Sequence, residues 1–131
     1  MSTLGRDYED GEYIIRQGEL GDKMYVIQDG EVEVVLENEQ GDLVAATLGK
    51  EEIIGEMALF DQEVRSASVR AKGKVRVLAV DRKNLFARIS ENPTLAFRLI
   101  RTLCTRVRSL DQELASVKTQ LGSRTERKAG D

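Results

Sequence analysis

Apolar and polar residues along this chain follow two rhythms, and the change comes near Asp81. Before it, short β-like runs are separated by glycine-bearing turns. Tyr13–Arg16 leads into Gly-Glu-Leu-Gly-Asp at Gly18–Asp22. Met24–Gln28 reaches Asp29-Gly30, a dipeptide that predicts a two-residue hairpin between apolar runs. Glu31–Leu36 alternates, with Val32, Val34 and Leu36 on one face and Glu31, Glu33 and Val35 on the other. Gln40-Gly41-Asp42 predicts a turn, Leu43–Leu48 the next strand, and Gly73 a turn ahead of Val75, Val77 and Ala79. Strands of five or six residues at roughly ten-residue spacing predict a mainly β fold, an antiparallel β-roll that is double-stranded and jelly-roll-like.

After Asp81 the period lengthens. Asp81 is placed to cap a short helix through Leu85, Phe86 and Ile89 that ends near Ser90-Glu91. Asn92-Pro93 restarts helix, with proline at the first helical position. Apolar residues then step four and three through a full heptad series. Ile100, Val107, Leu114 and Leu121 fall at a; Ala96, Leu103, Leu110 and Val117 fall at d. In a parallel pair Arg106 at g faces Asp111 at e of the partner, and Glu113 faces Lys118, both of opposite sign. The pattern therefore predicts a parallel homodimer through Ile100, Leu103, Val107, Leu110, Leu114, Val117 and Leu121. The other reading, a helix packed on its own roll, suits Phe97 and Leu99 but leaves Leu114, Val117 and Leu121 without a partner. The expectation is that one helix does both, early on the roll and late on its twin. The chain thus divides into a polar lead-in at 1–9, a roll at 10–91, a coiled-coil helix at 92–121 and a disordered tail at 122–131.

Composition narrows the chemistry. A chain of 131 residues, 33% charged and 40% apolar, fits one soluble domain with a modest core. A net charge of −3 gives no basic field for nucleic acid or an acidic membrane. The sequence has no histidine, which removes His-ligated metals and any Ser–His or Cys–His device. One cysteine, Cys104, cannot form an internal disulfide. No metal, no other cofactor and no enzyme activity are expected, and the absence of a long apolar run makes a cytoplasmic protein the default.

Against that background one stretch carries ligand chemistry. Gly55–Val69 reads GEMALFDQEVRSASV, with Glu56 and Arg65 nine residues apart. A connection that folds back aims both into one pocket. There the carboxylate accepts hydrogen bonds from sugar hydroxyls and the guanidinium fork fits a phosphate.

Three blocks occur in order: EDGEYIIRQGELGDKMYVIQDGEVEV, then LGKEEIIGEMALFDQEVRSASVRA, then the two helices. From roughly Tyr8 to Leu110 the chain resembles the cyclic-nucleotide-binding domain, the family of the bacterial catabolite activator, protein kinase A regulatory subunits and cyclic-nucleotide-gated channels. The resemblance implies a phosphate-binding cassette at 54–68. In it Glu56 accepts from the ribose 2′-OH, Arg65 pairs with the cyclic phosphate, and Ser66 adds a hydroxyl, with Ala67 completing the motif. Gly55 lets the backbone approach the sugar, and the amides of Met57 and Ala58 begin a short helix. Val34 and Ala45 are candidate apolar contacts to the base, and Arg106, Ser109 and Asp111 candidate polar ones.

The implied ligand is cAMP first and cGMP second, bound by a regulatory module that rearranges its dimeric helix. The alternatives are a ligand-free roll scaffold, in which Glu56 and Arg65 form a structural ion pair, or a truncated regulator of the catabolite activator type. DNA binding is not expected, because the chain ends about ten residues after its last heptad residue. Three positions depart from the family pattern: Val64 stands where many members have proline, Glu51-Glu52-Ile53-Ile54 where many have Gly-Asp-Phe-Phe, and the usual N-terminal helix is at most a turn. Acidic side chains at 51 and 52 lower affinity for an anion where they point inward.

Overall fold

Two long strands carry the fold. The computed structural model describes residues 5–59 and 61–129, with side chains to Leu121. Strands β1 (Arg6–Tyr8), β2 (Tyr13–Ile15), β3 (Leu20–Gly21), β4 (Met24–Asn38) and β5 (Gly41–Leu48) come first. They are followed by β6 (Ile53–Ile54), a single 3₁₀ turn Glu56–Ala58, β7 (Glu63–Val64) and β8 (Ser68–Val80). Helices α1 (Leu85–Glu91) and α2 (Thr94–Ala129) complete the chain. Antiparallel β4 and β8 pair along most of their length, and the six-stranded sheet runs β1-β8-β4-β5, with β2 on β8 and β6 on β4. Strands β3 and β7 form a separate two-stranded ribbon. The mainly β roll followed by helices agrees with the pattern read from the sequence.

Several local expectations need correction. Asp29-Gly30 makes no hairpin: it lies inside β4, and the β4–β8 register shifts on either side of Asp29. Gly30 has φ 85° and Gly73, inside β8, has φ 73°. Each glycine therefore bends a strand that continues, which only a residue tolerant of left-handed backbone does without strain. At Gly30 a Cβ would also press on the Lys74 carbonyl oxygen. The lead-in is partly structured, since Arg6–Tyr8 pairs with Val77–Val75 and buries Tyr8. Burial pushes the Tyr8 phenol pKa up. Met1–Leu4 lie outside the described residues.

Asp81 does not cap α1 directly. Its carboxylate accepts from the Asn84 amide at 2.9 Å while the Asn84 side chain accepts from the Asp81 amide at 2.9 Å, so the helix starts three residues later than expected, with Asn84 at the cap. Helix α2 continues past Leu121 to Ala129, where the sequence predicts a disordered tail. Gly122 costs a helix interior only about 1 kcal/mol, and the Arg, Glu, Lys and Ala that follow are good helix formers. The last two tail positions, 130–131, lie outside the described residues.

The core has two parts. One lies within the roll, with Ile27, Val32, Val75 and Val77 at its centre. The other joins the roll to the helices through Met24, Val80, Leu85, Leu95 and Leu99. Leu103, expected at a d position of the dimer seam, is partly buried against this second cluster. Phe97 does the opposite: expected on the roll, it is 67% exposed. Leu95, Leu99 and Leu103 recur at every fourth residue, and that row faces the roll.

Candidate functional site

Arg65 stands where the chain leaves β7, and its backbone fixes the place. Its amide donates to Glu19 O at 2.8 Å, and its carbonyl accepts from the Gly18 amide at 2.8 Å, so the cassette is stitched to the loop before β3. The guanidinium then crosses two glycines. A Cβ on Gly21 would collide with Arg65 Nε and Cζ, and one on Gly55 would lie 2.5 Å from Nη1. Gly55 also has φ 74°, a left-handed conformation that opens the 3₁₀ turn. Arg65 Nη2 donates to Lys23 O at 2.6 Å, and Nη1 reaches Gly55 O at 3.5 Å. Gly21 escaped the sequence reading, which saw only a turn. Its φ is not positive, so its role is room for the arginine, and the Gly18-x-x-Gly21 spacing was the available signal.

Glu56 and Arg65 are not partners of each other, as a purely structural role would have them. The Glu56 side chain is 12% exposed and meets Arg106 of α2 at 3.9 Å. A carboxylate on the 3₁₀ turn is thereby linked to the helix at the point where α2 leaves the roll. The Ala58 amide donates to Gly55 O at 3.1 Å and closes the turn, so the expected pair of free amides reduces to Met57 at its open end.

These groups enclose a cavity of about 270 Å³, close to the lower end of small-molecule sites, roughly 300–1,000 Å³. The expected residues Gly55, Glu56, Met57, Ala58, Arg65, Ser66, Ala67, Val34 and Arg106 all line it. Ile15, Leu48, Ile54 and Val69, not singled out from the sequence, supply apolar wall. Ser109 lines a neighbouring cleft that shares Glu56 and Arg106 with the cavity. Ala45 and Asp111 do not line the cavity. For Ala45 the reason is a bulge: Val34 pairs with Ala46 and Val35 with Val44, which leaves Ala45 unpaired and the strand out of phase.

The two acidic residues ahead of the cassette stand outside its cavity and line the neighbouring cleft instead. Glu51 pairs with Arg98 at 3.1 Å, and Glu52 accepts from the Gly49 amide at 3.1 Å. Neither lines the cavity. What the site offers is two guanidiniums, Arg65 and Arg106, a shielded carboxylate, Glu56, with the exposed Glu63 beside it, a hydroxyl and apolar walls, which suits a small anion that carries hydroxyls and an apolar part.

A family model described as the cyclic nucleotide-binding domain matches residues 5–92. The chain belongs to the cyclic nucleotide-binding domain family. It is similar to the cyclic AMP receptor protein of Thermus thermophilus, 36% identical over 83% of this chain and 51% of that one. It is also similar to the cGMP-dependent protein kinase of Plasmodium berghei, 43% identical over 68% of this chain but 10% of the kinase. Among solved structures, the Thermus thermophilus catabolite activator protein superposes with a TM-score of 0.71 at 34% identity, covering 88% of this chain and 55% of that one. The cAMP-bound form of the EAL enzyme Bd1971 superposes with a TM-score of 0.59 at 34% identity, covering 85% of this chain and 30% of that one. This cyclic nucleotide-binding domain therefore spans about half or less of the relatives named here. Among its described residues no helix is long and apolar enough to cross a membrane.

Proposed function

We propose that this domain is a cyclic-nucleotide sensor that binds cAMP, and cGMP second, and reports occupancy through α2 as a parallel homodimer. The observation that carries the reading is Arg65, laid across Gly21 and Gly55 with its guanidinium held at the cavity wall. Arg65 takes the cyclic phosphate in the bidentate manner its planar fork allows. Ser66 adds a hydroxyl to the same phosphate, Glu56 accepts from the ribose 2′-OH, and the base lies toward Val34 and Arg106. Relatives with cAMP or cGMP in their descriptions support both ligands.

The coupling runs through Glu56. In the present structure its carboxylate faces Arg106 of α2 at 3.9 Å. A ribose hydroxyl on Glu56 competes with that pair, so the nucleotide and the helix position are linked through one carboxylate. The nucleotide shifts the helix only by its differential affinity for the two arrangements. The exposed heptad stripe on α2 is the surface through which a second copy would receive the change.

Calorimetry of the nucleotide-stripped protein with cAMP and with cGMP tests the reading, repeated on Arg65→Ala. A charged hydrogen bond contributes about 1.5–3 kcal/mol, so the variant should bind roughly ten- to over a hundredfold more weakly. A folded, stripped protein that gives no heat with either nucleotide ends the proposal.

A further inference from the structure

Arg65 is only as well placed as the backbone that carries it. A guanidinium fork meets a phosphate with both donors only when its plane is held, so whatever fixes the cassette bears on binding. The Arg65 main chain hangs on Gly18 and Glu19 through a pair of 2.8 Å hydrogen bonds. Those two residues lie in the loop between β2 and β3, and the loop has its own anchor one residue earlier.

That anchor is Gln17. Four hydrogen bonds close a ring between Gln17, Glu37 near the end of β4 and Ser68 at the start of β8. The Gln17 amide donates to Ser68 Oγ at 2.8 Å, and the Ser68 hydroxyl donates onward to Glu37 Oε1 at 2.9 Å. Across the ring the Glu37 amide donates to Gln17 Oε1 at 2.8 Å, and Gln17 Nε2 donates to Glu37 O at 3.1 Å. The last β4–β8 pair is Val35 with Ser68, so beyond it the Gln17 carboxamide does for β4 what a neighbouring strand would do. Ser68 is fully buried, which makes each of its two hydrogen bonds costly to lose. Ser68 follows Arg65 by three residues, so the ring holds the exit of the cassette as well as the loop that clamps Arg65.

Neither Gln17 nor Glu37 lines the cassette cavity. We propose that Gln17 is a positioning residue for Arg65: through Ser68 and Gly18 it sets where the guanidinium stands, without touching a ligand. The inference rests on the reading of Arg65 as the group that takes the cyclic phosphate.

Gln17→Met keeps the length of the side chain and removes its two hydrogen bonds to Glu37. In calorimetry with cAMP it should weaken binding about fivefold to tenfold, a loss bounded by that of Arg65→Ala. The double-mutant cycle separates positioning from general support of the fold. In an Arg65→Ala background Gln17→Met should weaken binding less than about twofold, because nothing is left to position. Ser68→Ala opens the ring from the other side and should give the same cycle. Amide hydrogen exchange on the ligand-free full chain needs no nucleotide. Gly18 and Arg65 should exchange about tenfold faster in either variant, while Ile27, whose amide donates to Glu52 O at 2.9 Å, should not change. A parent protein that binds no nucleotide removes the cassette reading, and the exchange measurement still decides the hold on Arg65. Equal losses with and without Arg65, or unchanged exchange at Gly18 and Arg65, overturn the proposal.

Discussion

Helix α2 carries one heptad pattern from Ala96 to Leu121, yet its two halves meet different surroundings. In the first half Leu95 and Leu99 are buried against the roll, and Leu103 packs beside them. In the second half Val107, Leu110, Leu114, Val117 and Leu121 are all at least half exposed. Leu95 is 2% exposed and Leu114 53%. The comparison shows that a 3.5-residue period says which side chains share a stripe, and nothing about what the stripe faces. The early half carries a second row, at every fourth residue, and that row found a partner inside the same chain. A helix of 36 residues is about 54 Å long, far more than the roll can cover.

The largest expected effect tests the first half directly. Leu95→Ala should destabilise the domain by about 2–5 kcal/mol, the range for a buried leucine truncated to alanine. Urea unfolding at low protein concentration measures it, with Leu114→Ala as the control. The control should fall within about 0.5 kcal/mol of the parent under those conditions, as for other surface changes. Equal losses in the two variants would erase the distinction between the halves.

Association sharpens the second half. If the outer stripe is a dimer seam, Leu114→Glu removes one buried leucine from each copy. At about 1.5–3 kcal/mol per side chain, the dimer should weaken by a hundredfold or more. Sedimentation velocity reads this, and unchanged circular dichroism of the roll shows that the fold survives. A parent protein that is monomeric at high concentration removes the seam altogether.

What the sequence made legible follows the same division. Glu56 and Arg65, which both line the cavity, could be singled out because their residue types and covalent spacing suggest a chemistry before any fold is known. Gly21 was not, because its function is the space it leaves for a side chain 44 residues later. The strand alternation located the roll, but it could not show whether Ala45, a candidate base contact, faces in, since a bulge leaves that residue unpaired and shifts the phase of its strand. Asp29-Gly30 looked like a hairpin because a left-handed glycine is what a hairpin needs, and a strand bend needs the same conformation. Leu103 lies on the heptad pattern and still packs against the roll, which no periodicity along one chain can specify.

Arg106 sits at the junction, between the last packed leucine and the first exposed valine. Its pair with Glu56 is half exposed on the arginine side, at 52%, and such a pair contributes roughly 0.2–1 kcal/mol. Arg106→Ala should therefore alter cyclic-nucleotide affinity by less than about tenfold. Its sharper consequence is on coupling: the nucleotide should no longer change the dimer dissociation constant measured by sedimentation. A retained nucleotide effect on the dimer in this variant would place the connection between the two halves elsewhere.

The smallest effect separates a strained backbone from the ion pair it carries. Glu51 has φ 77°, the one non-glycine residue with positive φ among those described, and its carboxylate holds Arg98 in the packed half of α2 at 3.1 Å. Glu51→Ala keeps the left-handed backbone and loses an ion pair that is 56% exposed on the carboxylate side, which costs at most about 1 kcal/mol. Glu51→Gly loses the same pair but relieves a conformation that costs an L-residue roughly 1–2 kcal/mol. Glycine also loses more backbone entropy on folding, about 0.5–1 kcal/mol, which offsets part of that relief. The glycine variant should then match the parent to within about 1 kcal/mol and equal or exceed the alanine variant in urea unfolding. Neither change should move nucleotide binding, because Glu51 lies outside the cassette cavity. An alanine variant more stable than the glycine variant would mean that the backbone at 51 stores no strain and that the ion pair alone positions the loop on α2.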